Sequence, residues 1–200
     1  MSNIIHKHYK FYKPFGVLSQ FSSNNVKEAK KKQFLPKPEN TSSGLMPVGR
    51  LDEKSEGLLL LTTDGKLSDT INRSGIEKEY YAQLDGLITT DAIEQLCKGV
   101  KIGFEGKKYT TMACIVKEIK PPKFPEANKR LRIGNHRPNS WISITLTEGK
   151  FRQVRKMTAA VGFPTLRLIR VRVGTIMLSG LLPNEFKELP ALIEVISKLK

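Results

Sequence analysis

The chain has 200 residues, enough for one sizeable core or for two small subdomains that share one. It contains 34 Lys and Arg against 19 Asp and Glu, and the net charge of +15 indicates a polyanionic partner, with nucleic acid as the first candidate. It has neither an apolar stretch of membrane-spanning length nor the apolar core of a signal peptide, so we expect a cytoplasmic protein that does not bind a membrane.

The first half of the chain alternates apolar runs with turn residues. In chain order, we predict a strand over residues 4–12, a strand over 17–19, a buried strand over 57–61, a helix over 66–73, a strand over 79–84 and a helix from Asp91 to Lys98. Asp91 and Glu94 resemble a capping box at the start of that last helix. Residues 24–43 carry several lysines and two prolines, and we predict a mobile basic loop there.

The second half contains a further basic, proline-interrupted segment at residues 120–139, which we also predict to be a loop. The predicted elements around it are a strand over 109–119, a strand over 141–147, a helix over 149–161 that ends at Gly162, a strand over 165–173 and a helix over 191–199. Adjacent strands with separated helices favour an α+β class over regular βαβ winding.

Motifs for metals, cofactors and reactive cysteines are missing from the sequence. Cys97 and Cys114 have no Cys-x-x-Cys partner and are expected to be core thiols, and the three histidines lack metal-ligand spacing. There is no Walker loop and no Gly-x-Gly-x-x-Gly. We therefore predict no metal and no cofactor, and any chemistry would fall to side chains alone.

The run Gly49-Arg50-Leu51-Asp52 stands just before the apolar strand at residues 57–61. Gly49 permits a tight turn or a close backbone approach, and Leu51 can anchor the turn so that Asp52 projects inward. Arg50 suits a phosphate or a base edge. Asp52 is thus a candidate nucleophile beside a buried strand. A surface turn with a salt bridge remains the alternative for the tetrapeptide taken alone.

The predicted helix over 149–161 has one apolar sector, formed by Phe151, Val154, Met157 and Val161. Arg152 and Lys156 face away from this sector and are expected to form a solvated surface that faces phosphates. Arg155 lies on the border of the sector. A half-buried arginine there needs a carboxylate partner, because an unpaired buried charge is costly.

Several motifs occur together in one order between residues 12 and 189. They are Lys13-Pro14-Phe15-Gly16, Gly49-Arg50-Leu51-Asp52, Ser55-x-Gly57-Leu58-Leu59, Thr63-Asp64-Gly65, Lys78-x-Tyr80, Gly149-Lys-Phe-Arg-Gln-Val-Arg155-Lys-Met157 and Leu168-x-Arg170. Together they resemble the RsuA family of pseudouridine synthases. Lys54 departs from the pattern, since relatives usually have Asp or Asn there. Many relatives carry an S4 domain before the first motif, and we expect a single catalytic domain without one over residues 1–200.

The resemblance implies an α+β fold with a mixed, mostly antiparallel sheet of two subdomains, flanking helices and a central basic cleft. It implies isomerisation of uridine to pseudouridine in ribosomal RNA, most simply the large-subunit (23S) rRNA, by a monomer that flips the target base and needs no cofactor. Asp52 would be the nucleophile, or in the glycal route the group that assists base departure. Arg155 would pair with Asp52, and Tyr80 would stack on the uracil, with Tyr81 as the alternative. For either tyrosine, a plain core residue remains the other interpretation.

The expected RNA-binding residues combine the family motifs with the two basic segments. They are Arg50, Lys78, Arg152, Lys156, Leu168, Lys31 and Arg130. For Leu168, a plain core leucine is an equally good interpretation. Two other functions remain open. A non-catalytic rRNA-binding or ribosome-assembly protein would need only phosphate contacts, and a metal-independent ribonuclease would need better placed histidines.

Overall fold

The computed structural model describes residues 5–39, 44–131, 133, 137–190 and 192. In chain order, the elements are β1 (His8–Lys13), α1 (Val26–Lys31), β2 (Met46–Val48), β3 (Glu56–Thr62), α2 (Gly65–Arg73), β4 (Lys78–Asp85), α3 (Thr90–Lys98), β5 (Lys101–Phe104), β6 (Lys107–Thr110), β7 (Ile115–Ile119), β8 (Asn139–Leu146), α4 (Gln153–Ala160), β9 (Thr165–Val173), β10 (Ile176–Met177) and β11 (Phe186–Leu189). They form two compact units, unit 1 (Met1–Ile76 and Arg170–Lys200) and unit 2 (Glu77–Ile169). The predicted α+β class with a mostly antiparallel sheet is confirmed.

Unit 1 is built on β1 and β3, whose side chains are all buried. The two strands pair antiparallel, with Phe11 opposite Leu59, and β11 pairs antiparallel along the other edge of β1. Phe11 stacks on Phe186 of β11, with ring centroids 4.3 Å apart. The predicted apolar strand at residues 57–61 is confirmed and lies at the centre of this unit. Because this run is buried, β3 begins at Glu56, four residues after Asp52.

Unit 2 is built on β4 and β8, which pair antiparallel along their full length, with Tyr80 opposite Ile144. Strand β7 continues the sheet on the far edge of β8. Its core includes Ile142, Ile144, Leu96 of α3 and Met157 of α4. The even-numbered residues of β4 share the face that this core covers, because successive side chains of a strand point to opposite sides.

Three of the predicted segments in the chain need correction. Residues 24–43 are not simply a loop, because they contain helix α1, whose N-terminus is capped by the Asn25 side chain. The predicted strand over 109–119 is two strands, β6 and β7. Between them Thr111 is buried, and its hydroxyl accepts a hydrogen bond from the Val100 amide at 2.9 Å. The Thr111 amide also donates to the Val100 carbonyl at 3.0 Å, and the strand is interrupted after it, where the Met112 amide donates to the Glu148 carboxylate at 2.8 Å. The strand predicted at 17–19 is only an isolated bridge between Val17 and Gln33.

The helix boundaries also differ in part from the prediction. Helix α3 begins one residue before Asp91, and its cap is Thr89, whose hydroxyl accepts from the Ala92 amide at 3.3 Å. Asp91 therefore lies in the first turn, where its negative charge interacts favourably with the positive end of the helix dipole. Strand β9 has the predicted bounds. The helix predicted over 191–199 lies outside the described residues apart from Leu192. Within the described ranges no helix is long and apolar enough to cross a membrane.

Candidate active site

The loop that carries Asp52 joins β2 to β3 and is fixed on both sides by hydrogen bonds. Before Asp52, the buried Ser19 hydroxyl donates to the Leu51 carbonyl at 2.8 Å and accepts from the Leu51 amide at 3.0 Å. After it, the Ser55 amide donates to the Asp52 carbonyl at 3.0 Å. Asp52 itself is half-buried. A carboxylate on such a held backbone starts from a defined position, as catalysis requires.

Gly49 and Arg50 begin the same loop. Gly49 has a φ of +69°, and a Cβ on it would come within 2.9 Å of the Asn72 side-chain oxygen. Of the two predicted reasons for a glycine, a tight turn or a close approach of the backbone, the structure shows the close approach. Leu51 is buried, as expected for the anchor of the turn, while Arg50 is exposed. An exposed arginine next to Asp52 is available to a ligand that reaches the carboxylate.

Lys13 is a feature of this loop region that sequence reasoning used only as part of a turn motif. Its side chain is 0% exposed, and Nζ donates to the Pro14 carbonyl at 2.9 Å and to the Val17 carbonyl at 2.7 Å. Burial lowers the pKa of Lys13 to about 7, although the charges of Glu56 and Asp52 oppose the shift. A lysine that follows the apolar pair Phe11 and Tyr12 and stands directly before a proline is the sequence signal that could have found it.

A salt bridge also connects the Asp52 loop to the basic segment at residues 24–43. Lys32, just after α1, makes a salt bridge to Glu53 with Nζ 2.8 Å from Oε2. The Glu53 carbonyl also accepts from the Gly16 amide at 2.8 Å. The ion pair is partly exposed, so its contribution to stability is small, about 0–1 kcal/mol. It nevertheless places the basic segment that contains Lys31 next to the Asp52 loop within unit 1.

Tyr80 and Tyr81 lie on opposite faces of β4, as predicted. Tyr80 packs against the core of unit 2, where it shares the cluster with Leu168, which is buried in β9. Tyr81 instead meets the edge of Phe124, with ring centroids 6.1 Å apart. Burial, and secondarily the Glu79 charge, raise the pKa of Tyr81, which disfavours it as a base. The burial of Leu168 fits its interpretation as a core leucine, and its RNA-binding role stays a prediction.

Helix α4 begins at Gln153 rather than Gly149. Arg152 has a φ of +53°, a left-handed conformation that ends the helical ladder on its N-terminal side. Phe151 therefore lies off the helix and is 66% exposed, so its predicted place in the apolar sector is wrong. Val154 and Met157 are buried in unit 2 as predicted.

Arg155 is half-buried on α4, as the helical wheel predicts, and its Nη1 donates to the Thr165 carbonyl of β9 at 3.1 Å. A hydroxyl contact between Thr158 and Thr165, 2.7 Å long, fastens the same helix to the same strand. The guanidinium thus bonds to β9 from a helix that is itself fastened to that strand. Asp52 belongs to unit 1, and its pairing with Arg155 stays a prediction.

The other candidate chemistries find little support among the described residues. Burial, with smaller effects of Cys97 and Glu148, raises the pKa of the Cys114 thiol to about 12, so this thiol is not activated as a nucleophile. Across the described ranges no group of three or more His, Cys, Asp or Glu side chains is placed to hold a metal ion.

A sequence model of the family described as RNA pseudouridylate synthase matches residues 7–160, which include Asp52, Tyr80 and Arg155. This match covers well over half of the chain. The chain belongs to the RNA pseudouridylate synthase family. The resemblance predicted from the ordered motifs is therefore confirmed, and the Asp52 loop, β4 and α4 all lie within the matched part of the family domain.

Named relatives of this synthase chain support the same assignment. A protein of Vibrio vulnificus named Ribosomal large subunit pseudouridine synthase E is 38% identical over 181 residues, which cover 90% of this chain and 73% of the relative. One of the same name from Xanthomonas campestris pv. campestris is also 38% identical, and the alignment covers 88% and 91% of the two chains. A crystal structure of a pseudouridylate synthase superposes with a TM-score of 0.73 at 24% identity, covering 98% of this chain and 74% of that one, which shows a shared fold.

The predicted RNA-binding residues of this synthase lie in both units. In unit 1, Lys31 is exposed at the end of α1 and Arg50 is exposed on the Asp52 loop. In unit 2, Arg130 is exposed, while the Lys156 ammonium donates to the Gly103 carbonyl at 2.8 Å. Lys78 and Arg152 are half-buried. These positions leave basic side chains accessible on each unit, and their contacts with RNA stay predictions.

Proposed function

We propose that this synthase isomerises a specific uridine to pseudouridine in large-subunit (23S) ribosomal RNA, acting as a cytoplasmic monomer. The relatives that support this substrate are named for the large ribosomal subunit. The net charge of +15 suits an RNA of high negative charge. The observation that carries the proposal is Asp52, a half-buried carboxylate on a loop whose backbone is held on both sides, within the matched family domain.

In the proposed reaction, the bond between N1 of the uracil and C1′ of the ribose breaks, and a bond from C5 to C1′ forms. The C5 proton leaves and N1 gains a proton, so the product is an isomer of the substrate. Neither an oxidant nor a cofactor is needed. Asp52 acts as the nucleophile at C1′, or assists base departure and proton removal in the glycal route.

The remaining site residues position the substrate and the carboxylate. Arg155 pairs with Asp52 and holds it in its ionised form, since an opposite charge favours ionisation. Tyr80 stacks on the uracil, which must leave its helical stack to reach the carboxylate. Arg50, exposed beside Asp52, fills the space that the flipped base leaves. The basic side chains Lys31, Lys78, Arg130, Arg152 and Lys156 bind phosphates.

The test compares Asp52→Asn with Asp69→Asn on an rRNA fragment that contains the target site. Both substitutions replace an aspartate of unit 1 by its amide, and only the first removes the proposed nucleophile, because Asp69 is exposed on α2. We expect Asp52→Asn to abolish pseudouridine formation while RNA affinity stays within a few-fold, and Asp69→Asn to remain active.

Pseudouridine is measured by mass spectrometry of the RNA, and affinity is measured by filter binding at one salt concentration. Turnover by Asp52→Asn equal to that of the unmodified protein would refute the assignment of Asp52. Binding without any turnover by the unmodified protein would instead favour the non-catalytic rRNA-binding function.

A further inference from the structure

Unit 2 carries an exposed aromatic and basic surface whose aromatic side chains have no role in the proposed reaction. It is formed by the hairpin β5–β6 and by the segment that precedes α4. We call it the Phe151 platform and define it by Phe104, Tyr109, Lys150, Phe151 and Lys156. Its central residue, Phe151, is 66% exposed, whereas a phenylalanine of a folded protein is usually buried.

The exposure of Phe151 follows from the backbone around it. The left-handed Arg152 turns the chain before the helix begins. The turn is held twice, since the Gln153 amide donates to the Lys150 carbonyl at 3.0 Å and the Gln153 side-chain oxygen accepts from the Lys150 amide at 2.9 Å. Gln153 is buried. The ring is therefore presented to solvent by a fixed turn.

Lysines are arranged over the aromatic rings of the platform. Lys156 Nζ lies 5.3 Å from the centroid of the Phe151 ring, and its hydrogen bond to Gly103 ties it to the hairpin. Lys150 Nζ lies 5.0 Å from the Phe104 centroid and 5.1 Å from the Tyr109 centroid. Both ammonium groups are within the range of a cation–π contact. Their positions are thus set before any ligand arrives.

Glu148 fastens the hairpin to the turn. Its carboxylate accepts from the Tyr109 hydroxyl at 2.6 Å and from the Met112 amide at 2.8 Å, and also from the Gln153 side chain. Ile102 of β5 is buried in the core of unit 2. Glu148 and the buried Ile102 therefore anchor the platform to the rest of unit 2. A ligand would bind to it without the entropic cost of ordering a loop.

The platform has a strong excess of positive charge. Residues 101–110 and 147–156 hold seven basic and two acidic side chains. One of the two acids, Glu148, is engaged in the hydrogen bonds just described. The basic side chains are Lys101, Lys107, Lys108, Lys150, Arg152, Arg155 and Lys156. An apolar ring surrounded by such charge suits a polyanion that also offers flat aromatic groups, which describes RNA with unpaired bases.

We propose that the Phe151 platform binds a single-stranded segment of the RNA substrate, with an unpaired base stacked on Phe151. Lys156 covers one face of the ring, and the base occupies the other. Lys150 and Lys156 contact the phosphates on either side of that base. This inference rests on the proposed function for the identity of the ligand as RNA. It assigns to unit 2 a base-stacking subsite that is separate from the stacking proposed for Tyr80.

The test measures the affinity of the full chain for a single-stranded oligouridylate of about eight nucleotides, a length within the site sizes of stacking grooves. Phe151→Ala is expected to raise Kd by about 5- to 150-fold, the range that corresponds to loss of one base stacked on an aromatic side chain. Phe151→Leu is expected to lose as much, and Phe151→Trp to retain the affinity. Leu87→Ala is the control, because Leu87 is an exposed apolar side chain of the same unit.

Duplex RNA of equal length separates stacking from general charge attraction. Phe151→Ala should leave the affinity for the duplex unchanged, because paired bases do not offer a free face. Retention of oligouridylate affinity by Phe151→Ala would overturn the proposal, and an acidic protein would then be the better candidate ligand. Full rescue by Phe151→Leu would also overturn it, since an apolar contact without a ring would suffice.

The turnover assay distinguishes this inference from the proposed function. If the unmodified protein forms pseudouridine in rRNA, we expect Phe151→Ala to raise KM by the same factor as Kd and to leave kcat unchanged, because uniform binding is lost. If the unmodified protein forms none, while its oligouridylate affinity still depends on the ring at position 151, the proposed function fails and the stacking subsite stands.

Discussion

The buried Lys13 makes a testable contribution to the pH dependence of folding. Its pKa falls from 10.5 to about 7 in the folded protein, chiefly through burial. Between these two pH values the unfolded chain binds a proton that the folded chain does not bind. The free energy of unfolding therefore rises with pH, by at most about 1.4 kcal/mol per pH unit. Below pH 7 both states are protonated and the cost of burying the charge is fully present, whereas above 10.5 it is absent.

The expected magnitude follows from integrating this linkage. Between pH 7 and pH 9 the gain is about 2 kcal/mol, because the folded lysine is still half protonated at the start of the range. The neutral amine keeps two N–H groups for the two carbonyls that it contacts, Pro14 and Val17. Loss of the proton therefore removes the charge without leaving those carbonyls unsatisfied.

The assay is urea unfolding of the unmodified protein and of Lys13→Met at several pH values from 7 to 9. Methionine removes the charge and both hydrogen bonds, and the cost of the lost hydrogen bonds is the same at every pH. We expect the stability of the unmodified protein relative to the variant to increase by about 2 kcal/mol across this range. Lys30→Met, which removes one positive charge from the exposed surface of α1, is the control.

A difference in stability that stays constant within about 0.5 kcal/mol from pH 7 to pH 9 would refute the reasoning. If Lys13→Met does not fold, NMR titration of selectively labelled lysine in the unmodified protein provides the same test. One ammonium group should titrate near pH 7. Titration of every lysine near its ordinary pKa would show that burial does not hold Lys13 in its neutral form.

Two further predictions concern a strand glycine and the arginines of α4. A Cβ at Gly57 (φ +103°) would lie 2.3 Å from the Arg170 carbonyl oxygen, whereas one at Gly16 (φ +87°) would meet nothing within 4 Å. Gly57→Ala should therefore lower the urea unfolding free energy by at least about 1–3 kcal/mol more than Gly16→Ala, and equal losses would contradict the clash. Arg155→Ala should reduce kcat on an rRNA stem-loop by about 100-fold or more, because Asp52 loses its alignment, with partial recovery in Arg155→Lys. Arg152→Ala should have a modest effect, and an equal loss in both would place Arg155 in the basic surface only.

The sequence predicts well those elements whose own pattern of apolar residues is enough to show which side chains are buried. Strand β9 has its predicted bounds, and the apolar run in β3 is the buried centre of unit 1. Two alternating faces place Tyr80 and Tyr81 on opposite sides of β4 whatever packs above them. The ordered motifs were enough to assign the family, because each one carries a turn, a strand or a charged group whose spacing is local.

Other boundaries depended on contacts between distant segments. Between β6 and β7 the chain leaves the strand conformation, and there the Met112 amide donates to the Glu148 carboxylate and the Cys114 amide donates to the Cys97 carbonyl. Those contacts leave no periodic pattern in the sequence. Helix α1 was missed for a local reason: none of its residues is buried, so the helix has no apolar periodicity, and composition alone marked the segment as a loop.

The amino-acid sequence by itself determined the class of this protein, its preference for a polyanion and the identity of the candidate nucleophile, since charge, strand periodicity and motif order are properties of the chain. Only the tertiary structure decided where the exposure of a side chain departs from what its polarity favours, as in a buried lysine and an exposed phenylalanine. Lys13 is enclosed because a turn wraps its carbonyls around the amine, and Phe151 is exposed because Arg152 adopts a left-handed conformation. Such reversals depend on the surroundings of each group in three dimensions, which the pattern of neighbouring residues does not encode.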